Sequence, residues 1–141
     1  MSSVFPSPEW AAKYKDAINA NTAYKIAGKD WTHGVIALVV KADEKLGIQA
    51  DTGIWLDVHQ GSCRDCKLVT ADEAKQAPFV ILADYGRWKQ VIHGELEPIK
   101  GLMQGKLKLT KGQLPVIVKY VAAAKELVQS TTSVDTKFLD E

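Results

Sequence analysis

FVILADYGRWKQVIHGELEPIKGLMQGKLKL, residues 79–109, reads as a strand, two short helices and a second strand, with almost nothing in it that could do chemistry. Asp84 can cap a helix whose apolar face is Tyr85, Trp88, Val91 and Ile92, and Gly94 can end it. Pro98 suits a first helical turn, with Ile99, Leu102 and Met103 as the next stripe and Gly105 as its stop. Lys106-Leu107-Lys108-Leu109 then alternates like a strand with one buried face. The stripes are large and aliphatic, and the charges fall on the opposite faces. A catalytic pocket needs convergent polar groups, and this segment supplies none; it is built to surround something apolar.

Three groups of residues carry a resemblance. Ala83-Asp84 follows a strand, Gly94-Glu95-Leu96-Glu97-Pro98 lies between helices, and Met103-Gln104-Gly105-Lys106-Leu107-Lys108-Leu109 is followed by Gly112. With Gly53-Ile54-Trp55-Leu56-Asp57-Val58 and Gly61 upstream, this pattern resembles the sterol carrier protein type two family over roughly residues 20 to 130. The glycine-ended helix running into a KLKL strand is the most specific part. The resemblance implies a stand-alone, prokaryotic α+β domain with a five-stranded, mainly antiparallel sheet covered by helices. It also implies a hydrophobic tunnel between sheet and helices that carries fatty acids, acyl-CoAs or sterols.

Composition sets wider bounds. A chain of 141 residues fits one domain able to bury about two thirds of its unfolded surface. Its 18 basic and 17 acidic residues leave a net charge of +1 without a basic stripe, which argues against a nucleic-acid partner. The start, MSSVFPSPEW, has neither the basic nor the apolar region of a secretory signal. The apolar runs at 34–40 and 79–83 are far too short to span a membrane. The final Phe138-Leu139-Asp140-Glu141 is not a peroxisomal address of the Ser-Lys-Leu kind. The expectation is a cytoplasmic protein with no integral membrane segment.

Along the chain, Ser7 and Pro8 open a helix with Trp10, Tyr14, Ala17 and Ile18 on one side. Asn19–Asn21 interrupts it before a second short helix over 22–27. Strands are expected near 34–42, 48–59, 63–70, 79–83 and 106–110. The first and fourth are apolar on both faces and so belong inside the sheet. On the second, Ile54, Leu56 and Val58 point inward and Trp55, Asp57 and His59 outward. Residues 70–78 read as a polar crossover. The core runs from about 8 to 129, with 130–141 as a loose tail.

The segment 113–128 reads as one long helix. Leu114, Ile117, Val118, Val121 and Val128 make a stripe that Val116, Tyr120, Ala123, Ala124 and Leu127 widen. A surface helix needs an apolar arc of about 100°, and this one is roughly twice that. A bound lipid, a second subunit or the tail can each cover the excess.

Chemistry-bearing residues are few. His59, Cys63 and Cys66 have metal-like or redox-like spacing. A regular strand, however, places the two cysteines on opposite faces about 10 Å apart, beyond disulfide reach and unable to share an ion. His93 suits a helix C-terminus, and His33 and His59 are solvent-facing. Lys106, Lys108 and Lys111 can protect a sheet edge or meet an anionic head group. No catalytic residue, metal or cofactor is expected. The candidate ligand-binding set is Trp88, Val91, Ile92, Leu96, Leu102, Met103, Gln104, Leu107, Leu109, Leu114, Ile117, Val118 and Val121, with Gln104 and nearby lysines as head-group contacts. Two readings stand: a non-enzymatic carrier of a lipid or fatty acyl ligand, and an accessory domain of the same fold. The second uses its apolar helix to form a homodimer or to dock on a lipid-metabolising enzyme.

Overall fold

A computed structural model describes residues 2–141. Ser7 accepts a hydrogen bond from the Trp10 amide (3.1 Å) and Pro8 occupies the first turn, which starts α1 at Pro8–Ala20. Asn21 ends that helix and caps the next, α2 (Thr22–Ala27), through the Tyr24 amide. The five-stranded sheet is built from β2 (Ile36–Val40), β3 (Thr52–His59), β4 (Ser62–Thr70), β5 (Phe79–Ala83) and β6 (Lys108–Lys111), in the order β4-β3-β2-β5-β6. The two strands apolar on both faces, β2 and β5, are neighbours inside the sheet and run parallel, with Ile36 opposite Phe79 and Val40 opposite Ala83. The remaining pairings are antiparallel, so the sheet is mixed.

One face of the sheet is covered by α1, α2, α4 (Tyr85–Ile92), α5 (Pro98–Met103), α6 (Leu114–Val118) and α7 (Val121–Thr131). Helix α7 packs against α1, α2, α4 and α5. The opposite face carries α3 (Ala71–Ala74), over a small second core of Ala37, Val39, Val69, Ala74, Ala77 and Val80.

Several elements depart from the sequence reading. Residues 70–78 hold a capped helical turn: the Thr70 hydroxyl accepts from the Glu73 amide while the Glu73 carboxylate accepts from the Thr70 amide. Asp84 begins α4 without making a side-chain cap. The helix over 113–128 is broken. Tyr120 leaves the helical region (φ −109°, ψ 38°), and its hydroxyl donates to the Asp30 carbonyl (3.3 Å) while its ring stands edge-on to Trp31. Those contacts hold Tyr120 out of line and separate α6 from α7.

The tail is not loose. Thr136–Phe138 forms β7, paired in parallel with β1 (Ser3–Phe5). Val134 and Phe138 are buried. Phe138 joins Phe5 and Tyr85 in an aromatic cluster, and the Tyr85 hydroxyl donates to the Phe5 carbonyl and accepts from the Leu139 amide (both 2.9 Å). The Lys89 ammonium, between Asp140 (2.8 Å) and Glu141 (2.9 Å), fixes the end of the chain.

Candidate functional site: an apolar cavity

Leu38 lies at the middle of a central strand and yet is only partly buried, as is Ile36 on the same face. A core strand exposes such residues only when the space before them is unfilled. That space is a cavity of about 130 Å³ between sheet and helices. Its floor is Ile36, Leu38 and Val40 of β2, Ile54, Leu56 and Val58 of β3, and Ile81 of β5. Trp10 and Tyr14 of α1, Tyr24 of α2, and Trp31 wall one side; Trp88, Val91, Ile92, Ile99, Leu102 and Leu107 wall another. Ile117 and Tyr120 roof it together with Ala123, Ala124, Leu127, Val128 and Thr131.

The wall carries polar atoms, but several of their hydrogen bonds run outward into the backbone. Tyr14 donates to the Leu127 carbonyl (2.8 Å), Trp31 to Gly34 (2.9 Å), Trp88 to Val39 (2.9 Å) and Thr131 to Val128 (2.6 Å). Among the described residues, no buried side-chain nitrogen or oxygen lacks a partner. Burial raises the hydroxyl pKa of Tyr14 and of Tyr24, so both remain neutral phenols. Among the described residues, no charged side chain lines the cavity. Such a space accepts hydrocarbon and gives a polar group nothing to bind.

Of the residues singled out from sequence, Trp88, Val91, Ile92, Leu102, Leu107 and Ile117 line this cavity together. Leu96, Met103, Gln104, Leu109, Leu114, Val118 and Val121 do not. Leu96 is spent on packing beside Gly101, and Leu109 on the edge strand packs only partly into the core. Met103 and Gln104 emerge at the end of α5, with Met103 68% exposed. Leu114 and Val118 of α6 and Val121 at the start of α7 are partly buried and pack against the core without lining the cavity. Lys106 and Lys108 lie apart, in a polar cleft of about 150 Å³ with Lys41, Asp84 and Arg87.

Sequence reasoning missed the aromatic wall from the N-terminal helices. Trp10 and Tyr14 were visible as an apolar stripe, but nothing in the stripe distinguishes packing against a core from facing a void. Trp55 sits on the opposite sheet face, with the Lys67 ammonium 5.9 Å from its ring centre.

The CxxC segment also differs from a regular strand. A bulge places both Cys63 and Cys66 on the inner face, where both are buried and free. His59, next to inward-facing Val58, points the other way. Among the described residues, no group of three or more His, Cys, Asp or Glu is arranged to hold a metal. None of the described helices is long and apolar enough to cross a membrane.

A mixed sheet covered by helices on one face, over a cavity lined with hydrocarbon, defines a sterol-carrier-type α+β domain. The chain belongs to the SCP-2 sterol transfer family, whose model matches residues 12–125. A crystal structure of sterol carrier protein 2 is 38% identical, with a TM-score of 0.84 over 91% of this chain and 97% of that one. A solution structure of a conserved hypothetical protein from Thermus thermophilus, described as possibly sterol carrier protein, is 36% identical. Its TM-score is 0.87 over 97% of this chain and 94% of that one. A UbiJ-SCP2 ubiquinone synthesis protein shares the fold at 16% identity and a TM-score of 0.53, over 83% of this chain and 86% of that one. No curated protein sequence matches the chain. Family and fold support a lipid-binding or lipid-carrying role, and neither indicates a catalytic family.

Proposed function

We propose that this protein is a non-enzymatic cytoplasmic carrier that holds the aliphatic part of a fatty acid, acyl-CoA or sterol-like lipid in the cavity and leaves the polar head outside. The observation that carries the reading is the void before Ile36 and Leu38, where a central strand should be fully packed. Each buried methylene contributes about 0.8 kcal/mol, so eight give roughly 6 kcal/mol before the cost of association. Apolar burial of this kind binds usefully while discriminating weakly among chains.

Size adds a requirement. About 130 Å³ is close to the space that admits a benzene ring, and a long acyl chain needs more. The α6–α7 break at Lys119–Tyr120 is the joint at which the roof can lift, because no continuous helix crosses it. The chain would then lie against Trp88, Val91, Ile92, Leu102, Leu107 and Ile117, over the floor of β2 and β3.

A docking-domain reading draws on exposed Met103 and Ile26, which leave apolar surface outside the cavity. Titration with a fluorescent fatty acid separates the two readings. Saturable one-to-one binding, displaced by unlabelled long-chain fatty acid, supports the carrier; absence of binding at protein concentrations well above micromolar favours docking.

A further inference from the structure

The β3–β4 ladder pairs Leu56 with Cys66, Asp57 with Asp65, and then Val58 with Cys63, which leaves Arg64 as an extra residue. One inserted residue resets the strand alternation. Cys63 therefore faces the same way as Cys66, each opposite a residue of the cavity floor. Their partners are two positions apart on β3, so the two cysteines are neighbours along one face of β4.

The surroundings are built around this pair. Asn19, at the end of α1, clamps the Cys63 backbone by donating to its carbonyl (2.9 Å) and accepting from its amide (2.8 Å). The Cys63 thiol donates to the Asp65 carbonyl (3.3 Å), and both sulfurs lie on the buried inner face. The two cysteines are only 3% and 6% exposed, which excludes protein-sized partners.

We propose that Cys63 and Cys66 form an oxidisable dithiol site, converted to an intramolecular disulfide by small hydroperoxides and restored by thiol reductants. Cys63 is the attacking sulfur. Interaction with the neighbouring Cys66 thiol favours its thiolate and lowers its pKa, while the same interaction raises that of Cys66. The Cys63 thiolate attacks one peroxide oxygen, the O–O bond breaks, and the departing hydroxide takes up a proton to leave as water, giving a sulfenic acid. The Cys66 sulfur then attacks the Cys63 sulfur; the S–O bond breaks, and the hydroxyl leaves as a second water with the Cys66 proton. Two thiols and one hydrogen peroxide give one disulfide and two waters.

The test is intact-mass spectrometry and thiol alkylation of the folded wild-type protein after exposure to hydrogen peroxide. The expected product is monomeric, lighter by two hydrogens, and has no alkylatable thiol after unfolding; dithiothreitol restores both thiols. In Cys66→Ser, dimedone should trap a sulfenic acid at Cys63. In Cys63→Ser, Cys66 should oxidise at least tenfold more slowly than that. Retention of both thiols by the folded wild type, addition of oxygen without loss of two hydrogens, or a disulfide joining two chains would each overturn the proposal. The wild-type result decides it even if neither variant folds.

Discussion

Ile117 is the one side chain of α6 that is buried and also lines the cavity. Arginine at this position would place a charge where hydrocarbon should lie, and an unpaired buried charge costs far more than the contact it replaces. Ile117→Arg is expected to weaken binding of a fluorescent fatty acid at least tenfold, about 1.4 kcal/mol. Exposed Lys119→Ala, at the end of the same helix, should bind as wild type; equal binding by both variants would remove α6 from the site. Gly61 tests the turn that sets the β3–β4 register. Gln60 and Gly61 both have positive φ (50° and 84°), as a two-residue hairpin turn requires, and a Cβ on Gly61 would come within 2.4 Å of the Lys25 carbonyl oxygen. Gly61→Ala should lose roughly 2 kcal/mol or more from backbone strain and crowding combined, read as a lower urea midpoint at unchanged slope. The glycine at this turn was legible in the sequence. The bulge that brings Cys63 and Cys66 to one face was not, because it arises from pairing with another strand and leaves no mark on local alternation.

Elements whose character is set by their own residues were readable. The helices at Pro8–Ala20 and Thr22–Ala27 follow from Ser7, Pro8 and Asn21 acting locally, and β2 and β5 follow from being apolar on both faces. Elements fixed by distant contacts were not. Tyr120 breaks the last helix through Trp31 and Asp30, and β7 exists through its pairing with β1 at the other end of the chain. The Thr70–Glu73 capping box is a different case: its Thr-x-x-Glu spacing was visible in the sequence but lay within a segment read as a crossover. The terminal strand has a measurable weight. Phe138 is 4% exposed, stacks on His93 and fills the cluster with Phe5 and Tyr85. Phe138→Ala should cost about 3 kcal/mol by chemical denaturation, the usual penalty for emptying a buried aromatic site. Deletion of residues 134–141 should cost at least as much, since it also unpairs β1 and leaves the Trp10 indole without Thr136. A deletion as stable as the full chain would show that the tail contributes nothing to the fold.

For the molecule as a whole, the sequence indicated apolar surface in excess of what a simple core requires, and it placed that surface on the C-terminal helices. The structure distributes it differently: the floor is the inner face of β2 and β3, and one wall is aromatic and N-terminal. Ile36, Leu38, Ile54 and Leu56 alternate as any sheet core does, and alternation is the same whether a strand faces packed side chains or an empty space. The central claim is that this space holds lipid. Its most direct test is organic extraction of the protein as purified from cells, followed by mass spectrometry and quantification against protein. The account predicts close to one equivalent of long-chain lipid per chain, or uptake to that level when the delipidated protein is offered fatty acid. A clean extract from a folded protein that also takes up no fatty acid would contradict it.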